Sequence, residues 1–199
     1  MKPLALIFTV AIVVAKISGV ASQSIVSAGQ KWGPVSVGLR MAISPVTSGR
    51  LPPDGGEFDV AIQNVGDTDV VVNLGHMLAN GKVMFPGAIS LIVTDAQGNT
   101  RELHFSDRRY PAVAGRVDDF TVALRSGSTY VLRVALNQYW SPTTKEFALR
   151  LADGRHRIAA RFDGQGAMAA NLDMQGVALM NFWKGTLQSN SFEFEVSQD

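Results

Sequence analysis

The sequence predicts an all-β protein, an antiparallel β-sandwich of about eight or nine strands with little helix outside an N-terminal signal peptide. Apolar and polar residues alternate with a period of two in one segment after another, as they do in strands that have one buried face. Turn-forming residues interrupt these segments about every 8–15 positions. No segment sustains the 3.6-residue apolar period of an amphipathic helix.

Residues 1–21 have the three parts of a secretory signal peptide. Lys2 gives a basic start, residues 4–15 are uncharged and mostly apolar, and residues 19–21 form a small-x-small cleavage site. The alternative is an uncleaved membrane anchor, but the apolar run is about 12 residues where a spanning helix needs about 20. We therefore expect residues 22–199 to form a single domain that is secreted or periplasmic and does not span a membrane after cleavage.

Composition narrows the classes of protein that the chain can represent. Hydrophobic residues make up 46% and charged residues 18% of the chain, which favours a folded globule over disorder. There is no cysteine, so disulfides, thiol catalysis and thiolate metal sites are excluded. A net charge of +1 provides no overall field that would attract nucleic acid, and we expect no nucleic-acid partner.

The first predicted strands lie on either side of a loop rich in glycine and proline. Residues 35–43 place five apolar side chains on one face of a strand, and residues 47–56 form the loop. A second half-buried strand follows at 58–63. The turn at 64–69 then leads into a third strand at 70–74.

A hairpin is predicted in the middle of the chain. Residues 88–94 and 100–105 flank residues 95–99, where Gly98 and Asn99 accept positive φ. Two further strands, 120–124 and 129–136, follow on either side of a short turn.

The last third of the chain predicts three strands and one short helix. Residues 147–151 are expected to pair with 155–162 across a tight turn, and the last strand runs from about 184 to 196. A short helix is expected at 167–174, where Gly176 follows as a stop.

Five segments resemble bacterial extracellular immunoglobulin-like β-sandwich domains, similar in layout to the bacterial proteinase-inhibitor type of sandwich. They are FDVAIQNVG at 58–66, ISLIVTDAQG at 89–98, LRSGS at 124–128, LADGRHRIAARF at 151–162 and WKGTLQSNSF at 183–192. The resemblance implies an immunoglobulin-like fold and suggests proteinase inhibition as one activity, although function has to be argued from a site.

The chain departs from that pattern in two places. His156 stands where a tyrosine often anchors a corner through its hydroxyl group, so this anchor must be replaced or absent. The insertion at 165–181 is also longer than a hairpin turn needs.

Local motifs for chemistry are missing. His76, His104 and His156 show no metal-ligand spacing, so we expect no metal or cofactor and interpret each as structural. No nucleophile elbow or phosphate-binding glycine loop occurs, and no catalytic residue is assigned. A catalytic site whose members meet only in three dimensions stays open as an alternative.

A row of arginines has two interpretations. Arg155, Arg157 and Arg161 share one side of a predicted strand, and Arg150 lies on its expected partner. The row could contact an anionic glycan or lipid head group, but we favour the solvated face of a sheet.

Two loops supply the candidate binding residues. Arg108, Arg109 and Tyr110 combine guanidinium groups with an aromatic ring, and Tyr139 and Trp140 place two large aromatic rings between strands. Such side chains provide rigid contact area at interfaces and in sugar sites. The alternative is that they cover the end of the core.

These observations favour an exported, non-enzymatic binding or structural domain that acts in the cell envelope or outside the cell, with a protein or a glycan as partner. Two alternatives remain: a proteinase inhibitor, and a secreted hydrolase with a dispersed site. The hydrolase requires a pocket that joins a histidine to a serine or a carboxylate.

Overall fold

The computed structural model describes residues 30–47, 51, 56–78, 81–106, 115–147, 150–166 and 181–197. These residues form thirteen strands and one turn of 3-10 helix at Leu136–Gln138. The strands are β1 (Leu39–Pro45), β2 (Glu57–Asn64), β3 (Val70–Leu78), β4 (Val83–Phe85), β5 (Ile89–Thr94), β6 (Thr100–Phe105), β7 (Asp118–Leu124), β8 (Thr129–Ala135), β9 (Tyr139–Ser141), β10 (Glu146–Phe147), β11 (Gly154–Gly164), β12 (Gly185–Gln188) and β13 (Phe192–Val196).

The strands form three antiparallel sheets, which confirms the all-β class. Sheet A has the order β1-β2-β8, and sheet C has the order β4-β3-β7. Sheet B has the order β10-β9-β6-β5-β11-β12, and β13 also pairs with β11. The strands outnumber the eight or nine expected because short strands such as β4, β9 and β10 carry no alternation of their own.

One apolar cluster is shared by the three sheets. Phe58 of sheet A contacts Phe194 of sheet B, with ring centroids 6.1 Å apart. Phe85 of sheet C meets Phe105 of sheet B edge-on at 4.8 Å. Burying a large apolar side chain contributes about 1.5–3 kcal/mol, so this cluster is the main source of stability in a chain without cysteine.

The alternation that predicted β2 is confirmed. Phe58, Val60 and Ile62 are buried, and the polar residues Asp59 and Gln63 of the other face are partly exposed, whereas Ala61 of that face is buried. The predicted central hairpin is also confirmed, because β5 and β6 pair around residues 95–99. The Asp95 carboxylate accepts hydrogen bonds from the backbone and side chain of Asn99, which lower its pKa.

The predicted first strand is wrong at its beginning. Val35 and Val37 are 58% and 74% exposed, and the buried alternation starts only at Leu39. Val37 and Gly38 have φ values of 45° and 77°, and they form a tight turn closed by reciprocal hydrogen bonds between the backbones of Ser36 and Leu39. The turn reverses the chain, so the two valines do not continue the face of β1.

The predicted pairing of residues 147–151 with 155–162 is also wrong. β10 pairs with β9, and β11 pairs with β5 on one side and with β12 and β13 on the other. The turn before Gly154 does reverse the chain, but partners that are distant in sequence occupy both edges of β11.

The predicted last strand is interrupted at Ser189–Asn190. Both backbone groups of Ala160 in β11 bond to Ser189, whose N–H donates at 2.9 Å and whose Oγ accepts at 2.8 Å. Asn190 turns towards sheet A, where its Oδ1 accepts from Ile43 N at 2.9 Å and its Nδ2 donates to Ile43 O at 3.2 Å. The interruption therefore joins sheet B to β1.

The helix expected at 167–174 lies outside the described residues. Within the described ranges, no helix is long and apolar enough to cross a membrane.

Candidate functional site

A pocket of about 350 Å³ lies between β3 and β4 of sheet C and strands β5, β6 and β11 of sheet B. Its volume is in the range of about 300–1,000 Å³ that is usual for small-molecule sites. Seven polar or ionisable residues line it: Asn73, His76, Ser90, Glu102, His104, Asp163 and Gln165. Phe85 and Ala88 supply apolar surface.

A bulge in β3 brings Asn73 and His76 to the same wall of the pocket. Residues three apart on a regular strand face opposite ways, because side chains alternate. Asn73 pairs with Thr121 and His76 with Asp119, so three steps along β3 match only two along β7. The extra residue restores a common face, and bulges commonly redirect side chains in this way.

Gly75 is required at the bulge because another backbone segment passes directly against it. It has a φ of 138°, and an added Cβ would lie 2.3 Å from Phe85 O and 2.6 Å from Gly87 N. Both the backbone conformation and the space therefore demand glycine.

The Asn73 side chain holds the bulge in place. It is 2% exposed, and its Oδ1 accepts from Gly75 N at 3.0 Å. Its Nδ2 donates to Asp119 Oδ1 and to Gly166 O, both at 2.9 Å. One hydrogen bond therefore closes the bulge within β3, and the other two tie β3 to β7 and to Gly166, just beyond the end of β11.

The opposite wall is the outer face of sheet B, defined by Ser90, Glu102, His104, Trp140 and Arg161. Ser90 Oγ donates to Glu102 Oε1 at 2.8 Å. No other described residue donates to the Glu102 carboxylate, which leaves Oε2 able to accept from a ligand.

The strand registers place these side chains in a row across sheet B. Trp140 pairs with His104, His104 with Ser90, and Ser90 with Arg161. Directly opposed residues project from the same face of a sheet. Trp140 is partly exposed, so an aromatic side chain adjoins the His104 edge of the pocket.

Two pocket residues differ in how completely they are paired. Asp163 accepts from Arg161 Nε at 3.1 Å and from Thr186 Oγ1 at 2.8 Å. His76 Nδ1 is buried and makes no hydrogen bond to the described residues. A buried polar atom without a partner is uncommon and calls for an explanation.

The predicted binding residues have different positions. Arg108, Arg109 and Tyr110 lie outside the described residues. Tyr139 is 0% exposed and packs edge-on against Phe105, with centroids 5.4 Å apart. It therefore offers no surface to a ligand, and burial raises the pKa of its hydroxyl group. Of the two described candidates, Trp140 stands on the outer face of sheet B, beside the pocket.

His156 has the structural position that was expected, and it is more deeply buried. It is 3% exposed and stacks on Phe194 with centroids 5.7 Å apart. A 2.7 Å hydrogen bond joins its Nε2 to Ala152 O. This bond to backbone stands where the resemblance leads one to expect a tyrosine anchor.

The arginine row on β11 belongs to a solvated, paired surface. Arg157 contacts Glu193 at 3.0 Å, and both side chains are more than half exposed. Arg161 is paired with Asp163. Arg150 is exposed and lies outside the strands. Exposed pairs of this kind contribute little to stability.

Sequence reasoning found Trp140 but missed the pocket. His76 and His104 were interpreted as structural residues, and Glu102 was not singled out. One signal was available: Gly75 is an isolated glycine within β3, and an isolated glycine in a strand suggests a bulge. Among the described residues, no group of three or more histidine or acidic side chains is arranged to hold a metal ion.

No protein-family model matches this chain, and no curated protein matches it in sequence.

Proposed function

We propose that this chain is an exported, non-enzymatic domain that binds a small polar ligand in the pocket between β3–β4 and the outer face of sheet B. The observation that carries the proposal is the convergence of seven polar side chains on one pocket, six of them from four separate strands. A pocket with a few converging polar groups is the usual form of a small-molecule site.

Rigidity of the walls supports binding. The polar groups stand on strands, and the Asn73 hydrogen bonds hold the bulge that directs His76. A preformed site binds without the entropic cost of ordering its own side chains.

The state of Ser90 supports a non-enzymatic function. Its hydroxyl donates to Glu102 and is directed at a carboxylate, whereas a nucleophilic serine is paired with a base that is itself oriented by a third group. Ser90 is also only 5% exposed, which leaves little access for a substrate.

A hydrolase remains the second candidate because the pocket does join His76 and His104 to a serine and to carboxylates. A panel of p-nitrophenyl esters and glycosides distinguishes the two functions. We expect no turnover above the buffer rate. Turnover that disappears in Ser90→Ala or His104→Ala would establish the hydrolase instead.

Export, the single domain over residues 22–199 and the immunoglobulin-like sandwich layout are further parts of the proposal. They rest on the signal-peptide pattern of residues 1–21, on the resemblance of the strand segments, and on the one core that the three sheets share. Fusing residues 1–30 to a reporter that is active only outside the cytoplasm tests export. A reporter that stays inactive would contradict it.

Two-dimensional NMR with a library of small polar compounds tests the pocket. We expect amide shifts on ligand addition to concentrate on β3, β5 and β6. Glu102→Gln should weaken the affinity for the bound compound at least tenfold. The matched control is Glu195→Gln on β13, an exposed glutamate far from the lining residues, which should leave binding unchanged. Hits that map elsewhere on the molecule, or no hits at all, would refute the proposed function.

A further inference from the structure

We infer that the ligand of this pocket is a neutral polyhydroxylated molecule, that is, a sugar, with Trp140 as an apolar platform at the edge of the pocket. This inference rests on the proposed binding function and adds the chemical class of the ligand. Three independent properties of the site lead to it: its charge, its hydrogen-bonding groups and its aromatic neighbour.

The charge of the pocket disfavours an anionic ligand. Among the described residues, Glu102 and Asp163 line it, and no lysine or arginine does. Arg161 stands two residues before Asp163 on the same face of β11, but it does not line the pocket and is engaged in an ion pair with Asp163. A phosphate or carboxylate placed in the pocket would face an unpaired Glu102 carboxylate without a cation to hold it.

The hydrogen-bonding groups favour a ligand that both donates and accepts. Glu102 Oε2 is an acceptor, so the ligand must donate there. The buried Nδ1 of His76 makes no hydrogen bond to any described residue, and an N–H buried without an acceptor is costlier than an unused lone pair. The proton of the neutral imidazole therefore belongs on Nε2, which makes His76 a donor towards the pocket.

Hydroxyl groups meet both demands, because each one donates one hydrogen bond and accepts others. An amine cation would donate to Glu102 but would place its N–H groups against the His76 donor. A sugar has several hydroxyls at fixed separations, and several polar groups converge here from different strands.

Trp140 supplies the apolar contact that a sugar ring needs. It lies directly opposite His104 in the β9–β6 register and on the same face of the sheet. Sugars have faces of C–H groups that pack on aromatic rings, and tryptophan offers a large apolar surface for this contact. Trp140 and His104, which stand side by side on that face, can therefore contact one sugar ring with an apolar and a polar group together.

Isothermal titration with separate classes of probe tests the ligand class. The probes are neutral monosaccharides and oligosaccharides of glucose, galactose, mannose and N-acetylglucosamine, with inorganic phosphate as the anion and putrescine as the cation. We expect at least one neutral sugar to bind. Its dissociation constant should be at least tenfold higher in Trp140→Ala and in Glu102→Gln than in the wild type. Trp140→Phe, which keeps an aromatic face, should stay within about threefold, and Glu195→Gln should bind as the wild type does.

The outcomes separate the two proposals. Suppose that putrescine or phosphate binds, that no sugar binds, and that Glu102→Gln abolishes the binding. This result would overturn the ligand class and leave the proposed binding function standing. If folded Trp140→Ala and Glu102→Gln variants both still bind the sugar, the sugar site does not lie in this pocket. Binding of no probe would overturn the sugar assignment, and a failed polar-compound screen would then remove the binding function as well.

The tautomer of His76 is a second readout that does not depend on finding the ligand. The ¹⁵N shifts of its imidazole should show the proton on Nε2. A proton on Nδ1 would overturn the donor role assigned to His76.

Discussion

At the scale of single residues, the same local motif occurs twice with different results. Asn64 and Asn73 each accept, at 3.0 Å, a hydrogen bond from the backbone N–H of a glycine two residues later. After Asn64 the strand ends, whereas after Asn73 it continues through a bulge. The asparagine-x-glycine pattern favours the local turn, and the surrounding strands decide what the turn does.

The side-chain Nδ2 of Asn73, which donates two hydrogen bonds, leads to a prediction about the free energy of unfolding. Asn73→Asp keeps the acceptor for Gly75 N, but it removes the donor to Gly166 O and places a carboxylate beside Asp119. We expect the free energy of unfolding at pH 7 to fall by about 2–4 kcal/mol, because a buried donor is lost and a like charge is gained.

Urea unfolding measures this loss. Asn137→Asp, at an exposed position, is the control and should change the stability by less than about 0.5 kcal/mol. A loss in Asn73→Asp no larger than in the control would mean that the Asn73 hydrogen bonds do not hold the bulge.

A substitution of Tyr139, in contrast to Asn73→Asp, is predicted to raise the stability of the fold. The hydroxyl group of Tyr139 is buried and makes no hydrogen bond to any described residue, and a buried hydroxyl group without a partner destabilises a fold by about 1–3 kcal/mol. Tyr139→Phe removes this cost and leaves a small void, so we expect stability to rise by about 1 kcal/mol, measured as a higher urea midpoint at pH 7. A lower midpoint would show that the hydroxyl group is satisfied in solution.

The same residue makes stability depend on alkaline pH. Burial raises the pKa of Tyr139, and that of Tyr130, above the ordinary value of 10.0. Well below pH 10 these hydroxyls are neutral in both the folded and the unfolded chain, and stability falls as pH rises above 10 because the unfolded chain ionises first. We expect Tyr139→Phe to lose less stability between pH 9 and pH 11 than the wild type.

At the scale of strands and turns, local signals predicted hairpins and failed to predict partners. The hairpin at 95–99 was predicted because Gly98, with a φ of 85°, and the Asp95 side chain determine that turn locally. β11 could not be assigned its neighbours in this way, since β5 and β13 lie far from it in sequence. Alternation specifies which face is buried, but it does not specify which strand lies alongside.

Asn190 provides the prediction at this scale. Its side chain bonds to both backbone groups of Ile43 and so acts as a one-residue partner for β1. Asn190→Ala should lower the free energy of unfolding by about 1–2 kcal/mol, because two hydrogen bonds between sheets are lost. Chemical denaturation measures the loss, and amide exchange at Ile43 should become faster. Unchanged exchange at Ile43 would contradict this connection.

At the scale of the whole molecule, the three sheets share one apolar core. Rings from different sheets meet in pairs, and Trp183 stacks on Phe162 while its Nε1 donates to Val37 O at 2.9 Å. The described part of the chain therefore has no sheet with a core of its own. Such an arrangement favours cooperative unfolding.

We expect a single unfolding transition. The midpoints measured by tryptophan fluorescence, which includes buried Trp183, and by far-ultraviolet circular dichroism should coincide. Two separated transitions would show that one sheet unfolds independently of the shared core.

The sequence by itself determined the all-β class, the buried faces of strands such as β2 and the central hairpin, because a two-residue period and a tight turn depend on neighbouring residues alone. Only the tertiary structure decided the pocket. Its polar residues run from Asn73 to Gln165 along the chain, and they meet through strand registers and one extra residue in β3. Long-range pairing sets those registers, so no local pattern of residues contains them.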